Sequence, residues 1–279
     1  MRNIPKPIAL VSDIFDDCIR SVQNQGLKTR LRTAKPVVLA AAQTYEQKGT
    51  VGELFEIPVS NGVLGVTSEE MHSLYRNTFV KSVRTRPIYT SLKKGCKNDM
   101  CPLCGQRTVH QLDHYLPVSQ HSALAVTPVN LVPACAECNK VKLAKEAAIA
   151  EEQTLHPYFD DLTATRWLYA TVQQTNPVSL LFEAKPDAGM SLILQARIVH
   201  HFKTFELGNL YTSHAGEELT NIRFGLQEIA KSANPTKALR THLDQMAMSR
   251  RVVHLNSWQT AMYSALAESD WFLTQGYRF

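Results

Sequence analysis

Two pairs of cysteines with the same spacing constrain the fold of this chain more than any other feature of its sequence. Cys101 and Cys104 form one CxxC pair, and Cys135 and Cys138 form a second after thirty intervening residues. Two such pairs are typical of a metal site rather than of a disulfide framework. Four thiolates favour a closed tetrahedral zinc site that stabilises the fold and leaves no coordination position for catalysis. The sequence therefore predicts a structural zinc ion.

Polar residues suited to hydrolytic chemistry lie between these pairs and directly after them. The chain has Asp113-His114 in the interval, Asn130 shortly before the second pair, and Asn139 immediately after it. Phosphodiester hydrolysis needs an activated water and a cation at the phosphate. A neutral imidazole accepts a proton near pH 7, and carboxylate and amide oxygens are ligands that Mg²⁺ prefers. These residue types are therefore compatible with metal-assisted hydrolysis.

The ordered set of motifs resembles the HNH endonucleases, also called ββα-metal nucleases. The set consists of CxxC, Asp-His followed shortly by Pro117, an Asn130-Leu131 pair, and CxxC-Asn-x-x-Lys ending at Lys142. It covers about fifty residues, roughly 96–146, which we call the module. The resemblance implies two strands and a helix, here a strand at 109–114, a second near 124–131, and a helix from 136 to about 149.

The resemblance also implies a role for each polar residue. His114 is the general base, Asp113 and Asn139 bind a catalytic Mg²⁺ or Mn²⁺, and Asn130 holds the loop or orients the His114 ring. Asn139 stands where the family name has histidine, so the metal preference stays open. Neighbouring residues on a regular strand point to opposite faces, so Asp113 and His114 converge only if the strand ends or bends there.

The positive charge of the chain is concentrated around the module. Between Arg76 and Lys145 there are eleven Lys or Arg and three acidic residues, so this window carries +8 while the whole chain carries +5. Such a distribution indicates a phosphate-bearing partner, which the resemblance makes double-stranded DNA. Arg107, Lys140 and Lys142 are candidates for phosphate contacts; the alternative is that the two lysines simply solvate a helix.

The rest of the chain predicts a mainly helical α+β protein with the module at its centre. We expect a helical region at 1–80, the nuclease module within 81–150 and a mostly helical region at 151–279. Pro36 is suited to the first turn of a helix. Thr67 and Glu70 predict a capping box. Residues 178–184 and 190–196 predict a hairpin, because a turn-like stretch separates them.

Several classes of function remain open at this point. No apolar run is long enough to cross a bilayer, and the first residues lack the features of a signal peptide, so we expect a cytoplasmic protein without membrane contact. The long helical flanks resemble nuclease subunits of bacterial anti-phage systems such as Septu, which implies an ATPase partner. The alternative is a catalytically inactive, zinc-dependent module that binds nucleic acid or protein.

Overall fold

The computed structural model describes residues 1–142 and 147–278, and the chain divides into two compact units, Met1–Asp161 and Leu162–Phe279. Helices dominate both units, and three small antiparallel sheets accompany them. The expected mainly helical α+β class is therefore confirmed. The division at residues 80 and 150 stays a prediction. None of the described helices combines the length and the apolar composition that a bilayer crossing requires.

Short helices and one long helix build most of the first unit. Two strands, β1 and β2, pair with each other, and a π-helix at Leu74–Phe79 continues directly from α3. The bounds are α1 Val11–Ser21, α2 Gln25–Val51, β1 Gly62–Val63, β2 Val66–Thr67, α3 Ser68–Ser73 and α4 Arg86–Lys93. The predicted capping box is confirmed: Thr67 accepts from the Glu70 N–H, and Glu70 accepts from the Thr67 N–H.

The prediction that Pro36 begins a helix is wrong, because Pro36 lies inside α2. An interior proline costs about 3 kcal/mol in a helix. The stripe formed by Leu31, Ala34, Val38 and Ala42 recurs every three to four residues and is buried in the structure. Burial of this stripe offsets the missing hydrogen bond, so one long helix forms instead of two short ones.

The module contains a hairpin followed by a helix. β3 at Gln111–His114 pairs antiparallel with β4 at Leu131–Ala134, and α5 covers Ala136–Lys142. The second strand therefore begins where the sequence predicted its end, because residues 122–130 form two 3₁₀ turns. The predicted continuation of the helix to residue 149, with Lys145, extends into 143–146, which lie outside the described residues.

One hydrophobic core joins the module to the helices that precede it. Leu112 and Leu131 of the hairpin are buried together with Tyr75 and Phe79 of the π-helix and Leu92 of α4. The short hairpin thus has an apolar face against the helices, and its polar side chains are positioned by that packing.

The second unit is a hairpin packed against helices. β5 at Leu168–Gln173 pairs with β6 at Ser179–Ala184, so the prediction that 190–196 is the partner strand is wrong. That stretch lies largely in α6, which begins after Ser191 because the Ser191 side chain caps the Leu194 N–H. The helices are α6 Leu192–Thr204, α7 Leu207–Ile229, α8 Pro235–Arg251, α9 Trp258–Glu268 and α10 Asp270–Thr274.

Candidate metal centre and catalytic site

The four paired cysteines meet in one buried cluster. Cys101 and Cys104 precede β3, Cys135 follows β4, and Cys138 lies in the first turn of α5. Their Sγ atoms all lie within 4.8 Å of one another, and none of the four is more than 2% exposed. Sulfurs bound to zinc at about 2.3 Å stand about 3.8 Å apart in a tetrahedron, so this cluster could bind a zinc ion. The predicted four-cysteine site is confirmed to that extent.

Backbone geometry around the cluster favours thiolates. The Arg107 N–H donates to Cys104 Sγ and the Cys138 N–H donates to Cys135 Sγ, each at 3.4 Å. Gly105 has a φ of +67°, a conformation that side chains rarely adopt, and it closes the turn behind the first pair. Burial raises the pKa of Cys96 to about 12, so this neighbouring thiol stays protonated outside the cluster.

His114 is the last residue of β3 and is held by two contacts. Its Nε2 lies 2.8 Å from the Ala125 carbonyl oxygen, and its ring packs edge-on against Tyr75 at a centroid distance of 4.5 Å. A carbonyl oxygen only accepts, so Nε2 carries the hydrogen and Nδ1 keeps its lone pair. Burial lowers the pKa of His114 to about 4, with smaller contributions from Lys142 and His72 in the same direction. The imidazole is therefore neutral at pH 7.

Among the described residues, the Asp113 side chain contacts Lys142 and not the groups that hold the His114 ring. Its Oδ2 lies 3.3 Å from the Lys142 ammonium, and the two side chains are only 16% and 7% exposed. Burial raises the pKa of Asp113, while the charge of Lys142 acts in the opposite direction. No described contact joins the Asp113 and His114 side chains. β3 does end at His114, as convergence of the two side chains would require. The residues are nevertheless linked through Lys142, which contacts the Asp113 carboxylate and the His114 carbonyl.

Lys142 does not lie on the solvated helix face that the sequence suggested. Its ammonium also donates to the His114 carbonyl at 2.8 Å and the Tyr115 carbonyl at 2.7 Å, and the residue is 6% exposed. An ammonium has three hydrogens, and these three acceptors use all of them. The expectation that Lys142 contacts phosphate is therefore corrected: its ammonium clamps the end of β3 to α5.

Asn130 holds the loop that supports the His114 ring. It is fully buried, accepts from the Leu116 N–H at 2.8 Å, and donates to the carbonyls of Leu116 and Leu124 at 3.1 and 3.4 Å. Leu124 directly precedes Ala125, the acceptor of the His114 Nε2–H. Of the two roles expected for Asn130, these contacts correspond to holding the loop, and they reach the His114 ring only through the backbone.

The remaining predicted residues lie around α5. Asn139 is partly exposed and lies three residues before Lys142, a spacing that places two residues at neighbouring positions on a helix surface. Lys140 is exposed. The Arg107 side chain is 33% exposed, with Nε 3.8 Å from a Glu137 carboxylate oxygen. Lys140 and Arg107 stay predictions as phosphate contacts.

Sequence reasoning missed Tyr75 and the clamp made by Lys142. Tyr75 packs on His114 and donates to the Leu112 carbonyl at 3.3 Å, although it lies 39 positions earlier in the chain. Its place in an apolar helical stripe gave no sign of this second role. The Asn-x-x-Lys spacing did carry a signal for Lys142, since residues three apart share a helix face.

The His156 segment that follows the module belongs to the core of the first unit. His156 is 1% exposed, accepts at Nδ1 from the Tyr158 N–H at 3.2 Å, and lies with Nε2 3.0 Å from the Tyr45 hydroxyl of α2. The Phe159 ring covers Gly49 so closely that an added Cβ would lie 2.4 Å from it. The segment therefore packs the module region against α2.

Comparison with known proteins gives a similarity that extends along the whole chain. The chain is 25% identical to Protein ea31 of Escherichia phage lambda over 292 aligned residues, which cover 98% of this chain and 99% of that protein. No family model matches the chain, and no solved structure matches it. The aligned region of this chain spans both compact units and the module.

Proposed function

We propose that the chain is a metal-dependent endonuclease of the HNH type. The observation that carries this proposal is the state of His114: a neutral imidazole whose Nε2–H is bound to a carbonyl, at the end of the β3–β4 hairpin opposite the cysteine cluster. A fixed donor on one ring nitrogen leaves the other nitrogen as a proton acceptor. The strand–strand–helix order of β3, β4 and α5 supports the same proposal.

In the proposed reaction, His114 takes a proton from the attacking water. Nδ1 accepts that proton, the water oxygen forms a bond to phosphorus, and the P–O bond to the leaving strand breaks, its electron pair staying on the leaving oxygen, which takes a proton from solvent. The Ala125 carbonyl fixes the tautomer of the neutral ring before the transfer and keeps the ring oriented after it. A pKa of about 4 makes His114 a weak base, so the water must be made more acidic by a cation.

Asp113 and Asn139 would hold that cation, Mg²⁺ or Mn²⁺. Their oxygens are hard ligands, and the cation would share the Asp113 carboxylate with the Lys142 ammonium. A bound divalent cation supplies positive charge at the phosphate and lowers the pKa of the water. The cysteine cluster would hold a structural zinc ion, separate from this chemistry.

A plasmid-cleavage assay tests the proposal. With Mg²⁺, we expect His114→Ala to lower the cleavage rate by about 10²- to 10⁴-fold, because general base catalysis contributes that much. His242→Ala is the matched control, since His242 is partly exposed on α8 in the other unit. Zinc content and melting temperature must match between the two variants. Equal cutting by His114→Ala and the wild type would exclude His114 as the base.

A second candidate is a zinc-dependent binding module without catalysis. The observation that favours it is that the Lys142 ammonium lies against Asp113, the carboxylate that would have to bind the catalytic cation. This candidate predicts nucleic-acid or protein binding with no cleavage of double-stranded DNA, single-stranded DNA or RNA in Mg²⁺ or Mn²⁺. Metal-dependent cleavage that Asp113→Asn abolishes would reject it.

The biological setting is a further part of the proposal. We propose a cytoplasmic enzyme that cuts double-stranded DNA in anti-phage defence together with an ATPase subunit, by analogy with the Septu-like nuclease subunits named above. Co-purification from the native host tests the partner. A chain that purifies alone and cuts DNA at full rate without nucleotide would argue against an obligate ATPase.

A further inference from the structure

The segment from Arg76 to Lys97 carries seven basic residues and no acidic residue. Elsewhere in the first unit, basic side chains such as Lys35 and Lys48 are paired with carboxylates at 2.7 Å. Within the described part of the chain, none of the seven is in an ion pair. Six of them are exposed, and Lys93 is partly exposed. The seven are Arg76, Lys81, Arg84, Arg86, Lys93, Lys94 and Lys97.

Three of these cations line one open groove beside α4. The groove has a volume of about 680 Å³, and Lys81, Arg86 and Lys94 lie around it together with the hydroxyls of Thr90 and Ser91. We call it the α4 groove. Val83 and Pro87 line it as well, and its cationic side chains and hydroxyl-bearing residues can donate hydrogen bonds to phosphate oxygens.

Two of the cations are already oriented. Arg86 donates to the Val80 carbonyl at 2.8 Å and lies 5.1 Å from the centre of the Tyr89 ring, and Lys81 donates to Asn77 at 3.3 Å. These are contacts to neutral groups, so both side chains keep their full charge for a ligand. Orientation before binding lowers the entropy that a ligand must offset.

The α4 groove and His114 share one layer of aromatic side chains. Tyr89 of α4 contacts Phe79 at 6.1 Å between ring centroids, Phe79 contacts Tyr75 at 5.8 Å, and Tyr75 contacts His114 at 4.5 Å. Arg76, the first of the seven cations, directly follows Tyr75. Unpaired positive charge therefore runs from the neighbourhood of His114 to the α4 groove.

We propose that the α4 groove binds the sugar–phosphate backbone of a nucleic acid whose scissile bond lies at His114. The inference rests on the proposed function, because it assigns the substrate of that site. Successive phosphates along one strand can be contacted by cations spaced along a groove, without any reading of bases. The run of cations along Arg76–Lys97 suits a polyanionic strand that follows the surface.

Binding of fluorescent DNA to the zinc-loaded full chain, in buffer without added Mg²⁺ or Mn²⁺, tests the α4 groove without cleavage. We expect the triple variant Lys81→Glu, Arg86→Glu, Lys94→Glu to raise the Kd for a 20-base-pair duplex at least about tenfold near 100 mM salt. The slope of log Kd against log salt should become shallower by about 2 to 3, since each phosphate contact contributes about 0.9.

A control triple variant with the same change in charge separates the groove from net charge. Arg32→Glu, Lys203→Glu, Lys237→Glu alters exposed residues on α2, α6 and α8. We expect this control to change Kd less than about threefold. Equal weakening in both triple variants, or none in the groove variant, would overturn the proposal. Binding to phosphatidylserine vesicles but not to DNA would overturn it as well.

Hydrolysis of bis(p-nitrophenyl) phosphate distinguishes a failure of the groove from a failure of the site. This small diester needs only the chemical site, so the groove variant should hydrolyse it at the wild-type rate. His114→Ala should bind the duplex normally and lose the hydrolysis. Loss of diester hydrolysis in the groove variant would overturn the separate role of the groove, whereas absence of hydrolysis in the wild type would count against the proposed function alone.

Discussion

The hairpins of the two units are alike in topology and differ in what stabilises them. β3–β4 has four residues in each strand, with the cysteine cluster at one end and the Lys142 clamp at the other. β5–β6 has six residues in each strand and packs against α7 and α9, with Leu180 and Phe182 buried. A two-stranded sheet is marginal by itself, so each hairpin needs added support.

The difference shows how polar residues can be placed on a small sheet. Where apolar packing is the main support, side chains facing the core must be hydrophobic, as in β6. Where sulfur ligands and an ammonium clamp share the task, partly buried positions become available to Asp113 and His114. The first hairpin can therefore carry partly buried polar side chains on short strands, and the difference in support between the two hairpins can be tested.

Loss of the zinc ion should have the largest effect on stability, and this destabilisation should be confined to the first unit. Zinc binding contributes about 10 kcal/mol or more to small zinc-dependent modules. We expect Cys135→Ser to lose zinc and to lower the melting temperature of the first unit, while the second unit unfolds as before. Cys96→Ser is the control, because Cys96 lies outside the cluster. Calorimetry and metal analysis measure both; full zinc content in Cys135→Ser would contradict the prediction.

Removal of the Phe182 ring from the second hairpin should destabilise the second unit and leave the first unit as it was. Phe182 is 3% exposed and contacts the Tyr211 ring at 5.8 Å, so Phe182→Ala should destabilise the second unit by about 4 kcal/mol. Leu181→Ala, at a side chain that is 49% exposed on the opposite face, should cost far less. Chemical unfolding followed unit by unit checks this. An equal loss in both variants would mean that the burial alternation does not govern β6.

Breaking the ammonium clamp should destabilise the first unit by about 3 kcal/mol. Lys142→Met leaves Asp113 without its charged partner and two carbonyls without a donor. Lys140→Met, at an exposed position on the same helix, should change stability by less than about 0.5 kcal/mol. Urea unfolding of both variants measures the difference. Equal midpoints would show that the clamp adds no stability.

Acid should weaken the first hairpin through His114. The pKa of His114 is about 4 in the folded chain and 6.5 without burial, so the unfolded chain binds the proton first as pH falls. The contribution of the neutral His114 ring to the free energy of unfolding is fully present above pH 6.5. It is lost as the pH falls toward 4, by about 2 kcal/mol between pH 7 and pH 5. His114→Gln should lose this part of the pH dependence. Since acid also protonates the thiolates in both proteins, the difference between their stability profiles is the quantity to measure.

The sequence was most informative where local chemistry decides the structure. The cysteine spacing and the Thr67–Glu70 capping box depend on short-range geometry, and both appear in the structure. The place of Pro36 depends on what packs against its helix, which a single segment does not reveal, and burial of the α2 stripe outweighed a helix-starting residue there. The turn-like stretch after β6 leads into α6, which Ser191 caps, and the partner of β6 is instead the preceding strand β5.

In the candidate site as well, the sequence predicted the residue types but not their partners. The residue types at Asp113, His114, Asn130 and Asn139 were identified from their order in the chain. Their partners were not, because the Ala125 carbonyl and the Tyr75 ring carry no signature of that role. The position of Lys142 shows the limit most clearly, since a lysine near a helix end is usually solvated and this one is buried.

Hydrogen bonds attach the module to the rest of the first unit, and they bear on whether the module could be moved into another protein. The Arg2 N–H bonds to the Pro102 carbonyl at 2.7 Å, and the Arg2 guanidinium bonds to the Gly105 carbonyl at 3.0 Å. The Ile4 N–H bonds to Pro157 at 3.0 Å, beyond the other end of the module. A recombination event that moved only the cysteine-bracketed segment into a new host would therefore leave behind part of its own scaffold. The piece to transfer intact is therefore the compact unit of residues 1–161 rather than the fifty-residue motif.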